Sequence, residues 1–282
     1  MLPPRLRRAL AASLLLPLLS CRRSAPVATE VMITASEYAF VAPETIPAGL
    51  VTLRLVNRGT ELHHAVLWRL EQGKTLADLQ AGLAQAMKHP AEPPPPPPPW
   101  LTFLGGPNAV LAGDTAMVTE TLAPGNYALV CLIPGPDGVP HVAKGMLRPL
   151  VVRAATGPVV PEPRADLEIK LTDYAFAVGP IPAGPHTIRV DNAGPQVHEV
   201  ELAQLAPGKT PADLVSWDEH GEQGPPPVAR WLGGIAPMAA GEHGYITVTL
   251  APGTYLLLCF VPDAKDGKSH IAHGMVREIT IS

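Results

Sequence analysis

An all-β fold of two tandem Greek-key sandwich domains, each with a short helical insertion, is what the sequence predicts, and three observations predict it. One long stretch occurs twice. Tyr-Ala-Phe at 38–40 recurs at 174–176, Ile-Pro-Ala-Gly at 46–49 recurs at 181–184, and Leu-Ala-Pro-Gly-x-Tyr-x-Leu-x-Cys at 122–131 recurs at 250–259. A repeat of this length marks duplicated domains, since the units of a solenoid are much shorter. Short runs alternate apolar and polar residues with the period of half-buried strands. The 35 prolines and 25 glycines break these runs at turn-like intervals, as a many-stranded chain requires.

From the N-terminus, residues 1–20 read as an export signal. Arg5, Arg7 and Arg8 precede an apolar run, Ala9–Leu19, that is too short to span a bilayer. Leu-Leu-Ser-Cys at 18–21 resembles the lipobox of bacterial lipoproteins, which implies cleavage before Cys21 and acylation of its thiol and amine. Residues 21–30 then form a tether, 31–153 the first domain, 154–164 a Pro- and Gly-rich linker and 165–282 the second domain. The expected location is the bacterial cell envelope, on the exported side, with the lipid as the membrane contact. A net charge of -4 excludes a nucleic-acid partner.

Strands are expected in matching pairs: 31–35 with 167–171, 51–56 with 186–190, and 115–122 with 245–250. Apolar runs then enter Cys131 and Cys259. A helix is predicted over Leu76–Met87, where Leu76, Leu79, Leu83 and Met87 fall at helical spacing, with a shorter one around Ala212–Trp217. The seven prolines at 93–99 favour polyproline II and read as a stiff spacer within a loop.

The cysteines narrow the chemistry. With Cys21 assigned to export, each domain keeps one thiol, which is no disulfide framework. A thiol retained once per repeat in an oxidising compartment is explained if something occupies the sulfur. In each copy an Asn-x-Gly turn leads to a histidine, Asn57 to His63 and Asn192 to His198. A second histidine and a methionine follow each cysteine. The two sets are His63, Cys131, His141 and Met146, and His198, Cys259, His270 and Met275. Two imidazoles, a thiolate and a thioether suit a trigonal copper site with a weak axial methionine, one copper per domain. His64, His89, His186, His220, His243 and His273 fall outside the repeated set and are expected to be solvated.

These motifs resemble those of the cupredoxins, the blue-copper family. The resemblance rests on Asn-x-Gly before the first histidine, Tyr-x-x-x-Cys-x-x-Pro late in each copy, and four residues between His141 and Met146 and between His270 and Met275. It implies a Greek-key sandwich and electron transfer through the exposed edge of a ligand histidine, to redox or copper-handling proteins of the envelope. The chain departs from the family in one respect. Nine residues separate Cys131 from His141 and ten separate Cys259 from His270, where the family has two to four. The extra residues read either as turn-rich excursions that return the histidine to place or as loops that grew once the metal was lost. Copper sequestration or delivery, and a metal-free binding module, are the alternative functions. Neither cysteine has a histidine beside it and no His-x-His pair occurs, so the expectation is that the chain is not an enzyme.

Overall fold

The computed structural model describes residues 27–88, 96–222 and 224–282. The signal segment, the acylation site at Cys21, most of the tether, His89 and Pro93–Pro95 lie outside the described residues. Within the N-terminal half the strands are β1 (Thr29–Ser36), β2 (Ala39–Val41), β3 (Thr45–Pro47), β4 (Gly49–Asn57), β5 (Val66–Leu70), β6 (Leu101–Gly105), β7 (Thr115–Leu122), β8 (Gly125–Val130) and β9 (Leu147–Arg153). The C-terminal half has β10 (Leu167–Thr172), β11 (Ala175–Val178), β12 (Gly184–Asn192), β13 (His198–Leu205), β14 (Val228–Met238), β15 (His243–Leu250), β16 (Gly253–Leu258) and β17 (Val276–Ile281). The expected strands all form; β7 has its predicted bounds and the others extend by one or two residues at one or both ends.

Alternation decides which face each strand buries. In β4, Val51, Leu53, Leu55 and Asn57 point inward, while Thr52, Arg54 and Val56 are half-buried. The halves repeat one pairing scheme: β1 lies parallel to β4 as β10 does to β12, and β4 runs antiparallel to β7 as β12 does to β15. Facing these strands are β5, β6, β8 and β9 in one half and β13, β14, β16 and β17 in the other. Each half encloses a separate apolar core, and each core includes its cysteine and methionine: Cys131 with Met146, and Cys259 with Met275.

The halves are joined by far more than the segment between them. Both sheets run through the junction, because β7 pairs with β15 at Val118–Ile246 and Thr119–Tyr245, and β6 pairs with β14 at Leu104–Met238. The result is one eight-stranded and one nine-stranded sheet. Residues 154–164 carry no strand or helix, yet the carboxylate of Glu162 accepts from His243, Tyr245 and Arg189, so this segment is fastened to the C-terminal half.

Helix α1 (Leu76–Ala86) and helix α2 (Pro211–Glu219) start alike. Thr75 and Asp78, and Thr210 and Asp213, form capping boxes in which side chain and backbone exchange hydrogen bonds, an arrangement worth roughly 1 kcal/mol at a helix start. Leu79 and Leu214 are the buried anchors, packed against the two halves of the nine-stranded sheet. Among the described residues no helix is long and apolar enough to cross a membrane.

Candidate metal centres

Each centre begins with the asparagine that closes an inward-facing strand. The Asn57 side chain donates to the carbonyls of Glu61 and Val110, both at 2.8 Å, and accepts from the Gly59 amide. Asn192 does the same with Gln196, Met238 and Gly194. The turn is thereby fixed in two directions, and His63 and His198 leave it pointing into their cores. The glycines are needed for space: a Cβ at Gly59 would overlap the Glu37 carboxylate, and one at Gly194 would overlap the His198 ring.

The cysteine is placed by the strand that ends at it. Tyr127 and Tyr255 are buried, and each hydroxyl donates to the carbonyl four residues earlier, at 2.7 Å to Ala123 and 3.0 Å to Ala251. This bond locks the turn before β8 and β16 and so sets where Cys131 and Cys259 emerge.

The long excursions after the cysteines close on themselves. Pro134 pairs with Pro140 and Pro262 with Ser269, and inside each loop a turn bonds Gly138 to Gly135 or Gly267 to Asp263. At the base, the His141 amide donates to Ile133 at 2.9 Å and the His270 amide to Val261 at 2.9 Å. Each extra segment is a hairpin closed at its base, so the second histidine ends 3.4 Å from the cysteine in both halves despite the long separation in the chain. A single turn then leads to the methionine. Gly145 and Gly274 hold φ of 101° and 91°, a left-handed conformation that suits glycine. The turn brings the Met146 amide to the His141 carbonyl at 3.0 Å and the Met275 amide to the His270 carbonyl at 2.9 Å.

The donors converge in both halves. His63 Nδ1 lies 3.1 Å from His141 Nδ1, and Cys131 Sγ lies 3.9 Å and 3.4 Å from the two rings. His198 Nδ1 lies 3.1 Å from His270 Nδ1, and Cys259 Sγ lies 4.0 Å and 3.4 Å from them. All six residues are fully buried, as are Met146 and Met275. The methionine main chain adjoins the centre, since the Cys131 amide donates to the Met146 carbonyl at 3.2 Å.

Carboxylates face the outer nitrogens of three of the four rings. His63 Nε2 lies 3.3 Å from Glu37, His141 Nε2 2.8 Å from Glu61 and His198 Nε2 3.0 Å from Asp173. Burial works against the charge on Glu37, but the amides of Glu61 and Thr60 and the His63 ring hold its carboxyl down to about 2. An ionised carboxylate only accepts, so the proton of such a ring sits on Nε2 and the Nδ1 lone pair points inward. In the first half two such lone pairs lie 3.1 Å apart beside a thiol in a buried pocket, an arrangement that a positive charge between them would stabilise. Burial lowers the affinity of His63, His141, His198 and His270 for protons, the last to about 4, and raises the Cys131 thiol to about 12. Acid does not readily supply that charge, whereas a soft cation that displaces the thiol proton does. Two imidazoles and a thiolate fit copper.

The halves differ at the fourth ring. Among the described residues His270 Nε2 has no hydrogen-bond partner, and the Asp263 carboxylate lies 3.9 Å away. Gln196 stands where the first half has Glu61, and Asp263 is engaged by Gln196, Tyr174 and the backbone of its own loop.

Two sequence expectations need correction. The histidines expected as ligands present no exposed edge, because His141 and His270 are fully buried and lie beside Tyr38 and Tyr174. His64 and His186 are not solvated either: His64 Nε2 accepts from the Leu132 amide at 2.7 Å, and His186 lies 2.6 Å from Asp166 and 2.7 Å from the Pro182 carbonyl. The acids were missed, although a signal for two of them exists, since an acid precedes Tyr-Ala-Phe in both copies as Glu37 and Asp173.

No protein-family model matches the chain, and no curated protein matches it. Solved structures do. Auracyanin A, a "blue" copper protein from Chloroflexus aurantiacus, is 25% identical over 45% of this chain and 100% of its own, with a TM-score of 0.30. A blue copper oxidase from Nitrosomonas europaea is 15% identical over 90% of this chain and 86% of its own, with a TM-score of 0.26. A copper-containing nitrite reductase from Thermus scotoductus is 13% identical over 91% and 62%, with a TM-score of 0.25. At these scores the likeness is loose. It nevertheless overturns the expectation that the chain is not an enzyme, because the proteins matched along about nine-tenths of it are an oxidase and a reductase.

Proposed function

We propose that this chain is an exported copper protein that transfers electrons through two cupredoxin-like centres, one in each half. The ligands are His63, Cys131, His141 and Met146 in the first, and His198, Cys259, His270 and Met275 in the second. The single observation that carries this reading is the convergence of two inward Nδ1 atoms and one thiol in a dry pocket, found twice in one chain with spacings that agree within about 0.1 Å. Copper, when bound, supplies one-electron chemistry.

The protein residues do the rest. Glu37, Glu61 and Asp173 fix which nitrogen of each ring carries the proton and how the ring is turned. The Asn57 and Asn192 turns and the Tyr127 and Tyr255 locks keep the donors from moving when the charge changes. The sandwich excludes water from the sulfur. Complete burial of the donors favours holding copper over handing it on, so electron transfer is preferred to delivery. The partners are redox proteins of the envelope, and Cys21 tethers the chain to the membrane by lipid.

Voltammetry on copper-loaded protein tests the reading. The account expects reversible one-electron waves that bleach and restore an intense visible thiolate-to-copper absorption. Copper bound without that absorption, or without reversible waves, refutes it.

A further inference from the structure

The buried rings pose a question of route. The donor histidines are fully buried, so an electron that reaches or leaves either centre crosses other groups of the protein on its way. At the junction of the halves, residues 107–110 are held by both. Val110 exchanges backbone bonds with His63 at 3.0 and 3.3 Å, while Asn108 donates its amide N–H to Gly234 at 3.3 Å and Ala109 accepts from Gly233 at 3.0 Å. The close approach depends on glycine, because a Cβ at Gly106 would overlap the Ala65 carbonyl and one at Gly234 the Val200 carbonyl.

Asn108 is buried at the centre of this crossing, where the second copy has Ala236. Its side-chain N–H donates at 3.0 Å to Glu199, which directly follows His198 in the chain, and at longer range to the Val200 and Ile235 carbonyls. The other oxygen of Glu199 accepts at 2.8 Å from the amide of Phe260, the residue after Cys259. On the opposite side the Asn108 amide neighbours the His64 ring, whose Nε2 accepts from Leu132, the residue after Cys131. From Cys259 to the His63 backbone the path is covalent apart from three hydrogen bonds: Phe260 to Glu199, Asn108 to Glu199, and Val110 to His63.

We propose that Asn108 and the 107–110 segment form an internal electron bridge, so that the two centres work as one relay. The proposal rests on the copper reading above. The step is a one-electron exchange in which Cu(I) at one centre becomes Cu(II) while Cu(II) at the other becomes Cu(I), with no bond broken and no proton moved. Asn108 is a positioning residue here, since it touches no donor atom.

The test uses the full chain loaded with two coppers and reduced by a sub-stoichiometric pulse, with each centre followed by freeze-quenched electron spin resonance. A redistribution phase independent of protein concentration is expected in the wild type. That phase should be absent from Cys131→Ser and Cys259→Ser and slowed several-fold in Asn108→Leu, with the spectra and potentials of both centres retained. Glu120→Gln, at the same junction but off the path, should leave it unchanged. Asn108→Ser serves if the leucine variant does not fold. A second readout needs no metal: in the apo-protein, Asn108→Leu should speed amide hydrogen exchange at Phe260 by roughly tenfold, the loss of about one buried hydrogen bond, and Glu120→Gln should not. An unchanged redistribution rate in copper-replete Asn108→Leu or Asn108→Ser, or unchanged Phe260 exchange, overturns the bridge alone. A chain that takes up no copper overturns the bridge and the copper reading together.

Discussion

Glu61 holds the outer nitrogen of His141 at 2.8 Å, while the corresponding nitrogen of His270 is unpartnered. A carboxylate on that nitrogen makes the imidazole a stronger donor and favours the oxidised metal, so the N-terminal centre should have the lower reduction potential. Glu61→Gln in a Cys259→Ser background should raise that potential toward the value measured for the C-terminal centre in Cys131→Ser. An unchanged potential contradicts this assignment. The asparagines act on stability. Asn57→Ala removes one of the two donors to the buried Val110 carbonyl and the side-chain donor to the part-buried Glu61 carbonyl, which should cost about 1–3 kcal/mol in denaturant unfolding.

At the scale of elements, the inserted hairpins are closed at their base and carry no donor. Excising residues 135–139, which joins Pro134 to Pro140, should therefore leave the charge-transfer absorption of the N-terminal centre in place in a Cys259→Ser background. Loss of that absorption would mean that the hairpin itself shapes the site. The strands and helices were legible because burial imposes a period on their residues, and the four donor types were legible because they recur in both copies. What the loops do was not legible. Their closure depends on backbone bonds such as His141 to Ile133, which no residue type marks. The acids sit up to 80 residues from the ring they serve, and only the pair before Tyr-Ala-Phe leaves a repeated trace. Asn108 leaves none, since it occurs in one copy and its side-chain N–H donates to the other half.

For the molecule as a whole, the unexpected feature is that both sheets cross the junction, where the sequence pointed only to a Pro- and Gly-rich linker between the domains. The junction buries carboxyls. Glu120 accepts from the Gly106 amide at 2.7 Å and its other oxygen is unpaired. Burial pushes its carboxyl up to about 8, and burial likewise raises Glu201 and takes Glu199 to about 7. The folded chain keeps the Glu120 proton well above the pH, near 4.5, at which the unfolded chain releases it. The stability tied to the neutral form is thus complete below that pH and is lost as pH rises through about 8. Glu120→Gln should match the wild type in denaturant unfolding at about pH 4.5 and exceed it by on the order of a few kcal/mol near the folded value. Equal pH slopes would place the carboxyl in water. The claim beneath all of these is that each half holds one copper through its buried cysteine. Copper titration of metal-depleted protein, followed at the thiolate-to-copper band, tests it most directly. Two equivalents should bind per wild-type chain, one each in Cys131→Ser and Cys259→Ser and none in the double variant, with the band scaling accordingly. Uptake that is indifferent to both substitutions would contradict the account.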